Sequence, residues 1–252
     1  MYMKQTMNIL LALIMCLGIL TSATAQKKKA ANFDEGIIKY KIEIEGMPEA
    51  AQFANSSIIN LYLKGKDSKM DISIMGGMAS FQLINNMTEN LFTMLMDVPS
   101  FYEKTAVSID EDSNFLKELK EAGGRNQAPT KDMEVKYFKN KKQKIAKYPC
   151  YKAEVGMGDG SSDKLTVYLT EKLRPTALSQ VEKALGTVEG FPLGFEMKVE
   201  GMLIKITAID VIKENLEADA FVVPESYSQK TMDEFKEEIE QKMGTGSGGI
   251  GL

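Results

Sequence analysis

The sequence predicts a mainly β (α+β) domain built on one large curved antiparallel sheet, a half-open barrel covered by two or three helices. Three observations support this prediction. Apolar and polar residues alternate with a period of two in about nine or ten short segments. Short turns connect most of these segments, and helical periodicity is confined to about three stretches. Because strands and helices do not alternate along the chain, parallel βαβ units are disfavoured.

The first strands show the alternation most clearly. Apolar residues over 38–44 alternate with charged ones, which predicts one face on a core and one face in water. The same pattern flanks a turn at 65–68, and Gly76 and Gly77 mark the next reversal. The later predicted strands are 133–137, 151–155, 165–169, 195–199, 202–208 and a closing strand at 221–223.

Two segments, 81–84 and 91–96, are apolar on both faces. Strands of this kind are covered on both sides or line a cavity, so we expect a binding surface here. Methionine suits such a lining, because its flexible thioether adapts to varied apolar ligands. The residues expected to line the cavity are Phe81, Leu83, Phe92, Met94 and Met96.

Three amphipathic stretches are expected to roof the sheet, at 115–122, 178–185 and 232–239. The third begins at a capping box, in which Thr231 and Glu234 satisfy each other's backbone N–H groups. Three helices are too few to form a layer of their own. They are enough to lie across a half-closed barrel.

The stretch 139–147 is strongly basic. We interpret it as a solvated hairpin turn around Asn140. The alternative, a phosphate or nucleic-acid site, is disfavoured because no aromatic stacking platform accompanies the lysines.

Residues 1–25 have the anatomy of a cleaved secretory signal peptide, in which a small-x-small pattern ends at Ala25. The apolar run within them is shorter than a membrane span. Met15 differs from the small residue that usually precedes a lipidated cysteine, which argues against lipid anchoring at Cys16. We therefore expect a periplasmic or secreted chain that begins at Gln26 and has no transmembrane segment after cleavage.

The exported chain is predicted to hold a single domain. We assign 26–35 to an N-terminal linker, 36–243 to the β-rich domain and 244–252 to a flexible tail. Removal of residues 1–25 takes one lysine and no acid, so 31 basic residues fall to 30 against 35 acids, a net charge of −5. This mild acidity disfavours nucleic acid and anionic membrane surfaces as main partners.

The chain contains no histidine, which removes the usual general base and the usual zinc ligand. Cys150 is the one cysteine after residue 25, so we expect no internal disulfide and a thiol buried as a small hydrophobe. Glu43 and Glu45 share a strand face, but that face is the solvent side. We predict that the protein is not an enzyme and carries no cofactor.

Two residue patterns offer ligands for metal ions. Thioethers suit reduced copper, and clustered carboxylates suit calcium. We interpret the methionines as core or cavity lining and the acidic groups as a helix cap and a hairpin, so no metal site is predicted. The methionines are Met75, Met78, Met94 and Met96, and the acidic groups lie at 110–112 and 158–163.

Four short motifs carry a resemblance to a known family. They are Ile145-Ala-Lys-Tyr-Pro-Cys-Tyr-Lys-Ala153, Leu165-Thr-Val-Tyr-Leu-Thr170, Gly190-Phe-Pro-Leu193 and Phe221-Val-Val-Pro-Glu-Ser-Tyr227. Over about residues 36–228 the chain resembles an exported family of Gram-negative bacteria, domain of unknown function 4412. The last motif also resembles the Phe-x-x-Pro ending of periplasmic lipoprotein carriers. An exported group with a Gly-Leu-Pro-Gly motif is a second resemblance, which 190–193 fits less well.

This resemblance implies a lipoprotein-carrier-like half-barrel under helices, and no established activity. The sequence departs from the family at Lys147, where a Gly is common, and at Tyr168, where a Trp is common. Pro192 and Pro224 lack a backbone donor and suit strand entrances or edges. Phe221 and Tyr227 are expected to pack against the end of the sheet.

Two functions remain open from the sequence. In the first, the protein is an exported cell-envelope protein that binds a lipid, an acyl chain or a lipidated partner in a cavity between sheet and helices. In the second, the core is filled and the protein is a structural or interaction module with an envelope protein partner. Nucleic acid is not expected as a partner of either.

Overall fold

We describe the fold from a computed structural model over residues 31–87, 91–99, 102–109, 135–156, 164–175, 189–199 and 201–245. The predicted signal peptide, the predicted helices at 115–122 and 178–185 and both acidic groups lie outside these residues. The strands are β1 (Ala31–Phe33), β2 (Glu35–Glu45), β3 (Ile58–Lys64), β4 (Asp67–Ile74), β5 (Ala79–Asn86), β6 (Leu91–Val98), β7 (Tyr102–Ile109), β8 (Val135–Ile145), β9 (Tyr148–Gly156), β10 (Lys164–Thr170), β11 (Leu173–Pro175), β12 (Phe191–Val199), β13 (Met202–Ile212) and β14 (Ser228–Thr231). The helices are α1 (Pro48–Asn55), α2 (Met232–Thr245) and two 3-10 helices, Met75–Gly77 and Ala218–Phe221.

Twelve strands form one open, curved sheet in the order β14-β7-β6-β5-β4-β3-β2-β13-β12-β10-β9-β8. The predicted large curved sheet is therefore confirmed. The expectation that it is wholly antiparallel is wrong at one edge, because β14 pairs with β7 in parallel. These two strands are far apart in the chain, so no hairpin dictates their relative direction. A second parallel pair, β1 with β11, stands apart from the main sheet and begins within the predicted linker.

The predicted alternation of faces is confirmed in the central strands. Ile38 and Tyr40 are fully buried, and Leu61 and Ile72 follow on β3 and β4. We call the face that carries these side chains the inner face. On the opposite face, Glu43 is 2.9 Å from Lys41.

One large apolar cluster joins strands that are distant in the sheet order, from Met70 and Ile72 on β4 to Ala153 and Val155 on β9. Side chains so far apart across the sheet reach one cluster only if the sheet curves strongly. A buried polar contact crosses the same core, where the Tyr40 hydroxyl donates to the Pro192 carbonyl oxygen at 3.2 Å. The core therefore lies in the bend of the sheet.

The capping box predicted for the last helix is present. The Glu234 side chain accepts a hydrogen bond from the Thr231 backbone N–H at 2.7 Å, and Thr231 Oγ1 accepts one from the Glu234 N–H at 3.3 Å. These reciprocal bonds satisfy two N–H groups that a helix start leaves free. Met232 and Phe235 are buried, as their apolar spacing predicts.

Helix α1 was not predicted from the sequence. Pro48 begins it at a position where proline needs no N–H partner, and the helix packs against β2 through buried Ala54. Only 8 residues long, it is too short for a clear period of 3.6.

The predicted turn around Asn140 is wrong. The chain continues through this residue as β8, with an irregular register between Phe138 and Lys142, and turns at Ala146 and Lys147 instead. Both turn residues have positive φ, 45° and 72°, as a two-residue type I′ hairpin requires. Glycine relieves that strain, which explains why a glycine in place of Lys147 suits this motif.

The predicted closing strand at 221–223 is also wrong. Phe221 ends the 3-10 helix Ala218–Phe221, and the chain then runs without strand pairing to β14. We call residues 213–227 the outer strap, because they cross the face of the sheet opposite the inner face. Pro224 lies within the outer strap, whereas Pro192 lies at the entrance to β12, as predicted.

Candidate ligand-binding face

The five residues predicted to line a cavity lie on β5 and β6, on the inner face. Phe81 stands directly opposite Met96, and Leu83 stands opposite Met94. Phe92 lies two residues before Met94, so its side chain points to the same side. The structure therefore brings all five onto one apolar face of two adjacent strands.

This apolar face continues on both neighbouring strands. Phe81 is opposite Ile72 of β4, and Met94 is opposite Val107 of β7. Met96 is nearly fully buried, but Phe81, Leu83, Phe92 and Met94 are each partly exposed. The inner face thus keeps apolar surface that the described residues leave partly open.

Helix α2 covers one end of this face. Its residues Met232 and Phe235 form a cluster with Met96 and Val107, and the Phe235 ring lies 5.2 Å from the Tyr102 ring, centroid to centroid. The prediction of a roofing helix is confirmed here. Tyr102 and Val107 were not predicted as part of the site. The alternation of β7 over Thr105, Val107 and Ile109 would have revealed Val107, whereas the irregular register between β6 and β7 takes Tyr102 out of that alternation.

The other face of the same strands is covered by the outer strap. Phe221 packs with Ile84, Leu95 and Ala106, and Tyr227 is partly buried against this cluster. The expectation that the two-faced strands are covered therefore holds on this face. Phe221 and Tyr227 pack on the outer face of β5 to β7 rather than at the end of the sheet, which corrects that prediction.

Burial under the outer strap perturbs two charged groups on β4. Desolvation raises the pKa of Asp71 and lowers the pKa of Lys69, and the attraction between them opposes both shifts. The Lys69 ammonium lies 4.6 Å from the centre of the Tyr62 ring. The outer strap thus withdraws water from polar as well as apolar groups.

Two hydrogen bonds fix the start of the outer strap to the sheet. The Glu35 carboxylate accepts a bond from the Leu216 N–H at 2.7 Å, and the Lys64 ammonium donates to the Leu216 carbonyl at 2.5 Å. Glu35 and Lys64 also pair with each other at 3.1 Å. The hydrogen bond from the Leu216 N–H holds the pKa of the Glu35 carboxyl below its usual value, and the bond from Lys64 adds a smaller effect in the same direction.

A polar cluster of Tyr137, Tyr151 and Glu189, at the end of the sheet formed by β8 and β9, holds the chain in place before β12. The Glu189 backbone N–H donates to the Tyr137 hydroxyl at 2.9 Å, and the Tyr151 hydroxyl donates to the Glu189 carbonyl. A Cβ at Gly190 would lie 3.1 Å from both the Thr170 carbonyl oxygen and the Tyr151 hydroxyl. Burial raises the pKa of both tyrosines, so both remain protonated hydroxyls at neutral pH. Their hydrogen bonds to Glu189 anchor the entrance to β12.

Cys150 is fully buried, which confirms the prediction. Burial raises the pKa of its thiol to about 11, so the reactive thiolate is scarce at neutral pH. The thiol donates to the Tyr148 carbonyl at 3.6 Å. This side chain behaves as a core residue.

The methionines predicted as core lining differ in their surroundings. Met94 and Met96 belong to the cluster under α2, whereas Met78 is 67% exposed in the turn between β4 and β5. Among the described residues, no group of three or more Cys, Asp or Glu side chains is placed to hold a metal ion. Over the same ranges, no helix has both the length and the apolarity needed to cross a bilayer.

An open cleft of about 350 Å³ lies near the turn between β6 and β7. Five of its six lining residues carry polar side chains, and none of the five residues predicted from the sequence is among them. The lining residues are Asp97, Pro99, Glu103, Lys104, Ser226 and Ser228.

Neither a protein family model nor a curated protein matches the chain. Membership in domain of unknown function 4412 therefore stays a prediction. Among solved structures, the chain is similar to an uncharacterized conserved protein from Thermus thermophilus. The identity is 7%, the TM-score is 0.43, and the match covers 78% of this chain and 90% of the other.

Two further likenesses involve named proteins. A chain of the Pseudomonas aeruginosa MucA/MucB complex matches with 10% identity and a TM-score of 0.42, over 75% of this chain and 56% of that one. The Mycobacterium tuberculosis lipoprotein LppX matches with 12% identity and a TM-score of 0.31, over 73% and 90%. With TM-scores below 0.5, none of these likenesses bears on the ligand or activity of this chain.

Proposed function

We propose that the chain is an exported, non-enzymatic cell-envelope protein that binds a hydrophobic ligand on the inner face of β5 and β6. The ligand is a lipid, an acyl chain or a lipidated partner. The observation that carries this proposal is the shared face of Phe81, Leu83, Phe92 and Met94, each apolar and each partly exposed beside the core.

The chemistry of this face favours an alkyl chain over a polar ligand. The five predicted residues offer no hydrogen-bond donor and only weakly accepting sulfur. Burial of one methylene contributes about 0.8 kcal/mol, so an acyl chain gains affinity in proportion to its length. Met94 and Met96 adapt their shape to chains of different length and saturation.

The residues available for chemistry support a role without catalysis. The chain has no histidine, and the buried Cys150 thiol lacks an imidazole partner. The signal-peptide pattern in residues 1–25 supports export to the periplasm or the outside of the cell.

A matched pair of substitutions tests the ligand-binding face. In Met94→Gln an amide replaces the thioether on the inner face, and in Met78→Gln the same change is made at an exposed position. Because a bound acyl chain cannot satisfy the amide, we expect Met94→Gln to weaken binding of a fluorescent fatty acid by about tenfold or more. Met78→Gln should bind as the unsubstituted protein does.

The proposal fails if the chain lacking residues 1–25 shows no saturable fatty-acid binding, or if both variants bind equally well. Native mass spectrometry of protein purified from its own envelope gives an independent reading. A co-purified lipid that is retained by Met78→Gln and depleted in Met94→Gln supports the proposal.

The alternative function is an envelope interaction module with a filled core. Four exposed apolar side chains, one each on β3, the turn between β4 and β5, β13 and the outer strap, are available as contact surface outside the inner face. Recovery of one envelope protein by cross-linking, together with an absence of bound lipid, would establish this alternative. The side chains are Ile58, Met78, Ile209 and Val222.

A further inference from the structure

Positive charge is concentrated along one edge of the sheet. Among the described strands, β8 is the last in the sheet order, and its segment with the following turn, 135–147, contains six lysines and no acidic residue. The whole chain, by contrast, has a net charge of −4. The lysines are Lys136, Lys139, Lys141, Lys142, Lys144 and Lys147.

Nearby acids neutralise only the first part of this edge. Lys139 pairs with Glu189 at 2.5 Å and with Glu171 at 3.7 Å. Lys136 lies directly opposite Glu154 of the neighbouring strand β9, and Glu154 also pairs with Lys152 at 2.9 Å.

The remaining lysines, which we call the lysine edge, are Lys141, Lys142, Lys144 and Lys147. All four are exposed, and within the described part of the chain no ion pair is formed by any of them. At about 3.3 Å per residue, Lys141 to Lys144 extend over roughly 10 Å of the rim, and Lys147 lies in the turn that follows.

The backbone of this edge disfavours addition of a peptide strand. An added strand needs a regular row of free N–H and C=O groups. The register of β8 is broken between Phe138 and Lys142, where the lysine edge begins, and such bulges interrupt pairing. A partner that reads charge and needs no backbone register fits this surface better.

We propose that the lysine edge docks the protein on the anionic headgroup layer of a membrane. Lysine ammonium groups on flexible stems act as point charges, which suit a fluid layer of phosphates without a shaped pocket. The net negative charge of the chain disfavours anionic membranes, but net charge averages the lysine edge with acidic residues elsewhere on the molecule. The proposal goes beyond ligand binding and does not depend on the inner face.

Vesicle binding with charge-reversed variants tests this inference. The probe is phosphatidylcholine vesicles with or without about 30% phosphatidylglycerol, at about 50 mM and about 300 mM salt, conditions that separate screened from unscreened attraction. The test variant is Lys141→Glu/Lys142→Glu/Lys144→Glu. The control is Lys66→Glu/Lys172→Glu/Lys198→Glu, which changes net charge equally at exposed positions outside β8.

We expect binding only to vesicles that contain phosphatidylglycerol, with loss of affinity at the higher salt concentration. At about fivefold in affinity per lysine near an anionic surface, loss of three lysines weakens binding by about a hundredfold. The control triple should retain most of the affinity. Circular dichroism verifies that both triple variants are folded.

Absence of vesicle binding at low salt overturns the proposal and leaves the lysines as protection of the sheet edge against self-association. An equal loss in both triple variants overturns it too, because the effect then follows net charge. Binding of poly-glutamate without vesicle binding would assign an acidic protein as the partner. Met94→Gln should leave vesicle binding unchanged, so failure here is distinct from failure of ligand binding.

Discussion

The two halves of the sheet, β2 to β9 in the sheet order and β5 to β7, are stabilised in different ways. From β2 through β13, β12, β10 and β9, one large cluster is enclosed by the bend of the sheet itself. From β5 to β7 the strands rest on two small clusters, one under α2 and one under the outer strap. The half formed by β5 to β7 therefore depends on the outer strap and α2, which both follow residue 212. Its apolar side chains become exposed to water if these segments detach.

The largest expected effect is in the enclosed core. Phe195 is 1% exposed within the large cluster, and Phe195→Ala should lower the free energy of unfolding by about 3–5 kcal/mol. Urea unfolding followed by circular dichroism measures this loss. Phe195→Leu should cost about 1.5 kcal/mol or less, and a full-sized loss in Phe195→Leu would contradict a simple cavity effect.

A smaller and local effect is expected at the outer strap. Phe221→Ala removes the aromatic anchor over Ile84 and Leu95, and should cost about 2–3 kcal/mol because the outer strap can open alone. Hydrogen exchange should accelerate in β5 to β7 and stay slow in β2 and β13. The neighbouring Val222→Ala, at a position 58% exposed, is the control. Uniform acceleration of hydrogen exchange through the whole sheet would refute the division into two halves.

A gain in stability is expected at the turn between β8 and β9. Lys147 has φ of 72°, and Lys147→Gly should raise the free energy of unfolding by about 1 kcal/mol by removing this strain. In Lys66→Gly the same change falls at a turn position where φ is not positive, so it should be neutral or destabilising. Thermal unfolding of both variants tests this prediction. It is wrong if the unfolding midpoints of both variants change by the same amount.

The smallest effect concerns the bond between Glu35 and the outer strap. The pKa of Glu35 lies below its ordinary value of 4.5, so its contribution is present above pH 4.5 and is lost as pH falls through the folded pKa. Glu35→Gln should therefore be less stable than the unsubstituted protein at pH 7 and closer to it in stability at about pH 3. Urea midpoints at both pH values measure the difference. Glu43→Gln, which alters an exposed pair with Lys41, provides the control.

The sequence predicted elements well where local patterns were strong. Alternation at Ile38 and Tyr40 identified the buried face, and the capping box at Thr231 located the last helix. Prediction failed where this local pattern was absent. Strand β8 has lysines on both sides of its backbone, because an edge strand need not bury either face there. The apolar residues at 221–223 resembled a strand, although Phe221 alone is buried.

The candidate site divides in the same way. The five apolar residues of β5 and β6 were predicted from the sequence as a cavity lining, because a strand that is apolar on both faces is unusual on a surface, and they share one face. Tyr102 and Phe235 were not assigned to the site. Their contact depends on α2 returning from the far end of the chain to β7, which no short pattern reports.

By itself, the sequence determined which residues lie on each side of the central strands, where the last helix begins and that Cys150 is buried, because these follow from short-range periodicity and composition. Only the tertiary structure decided the strand order, the parallel pairing of β14 with β7 and the cover of the outer face. The physical reason is distance along the chain. The bond from Glu35 to Leu216 joins residues 181 positions apart, and the two groups meet only because β2 pairs with β13.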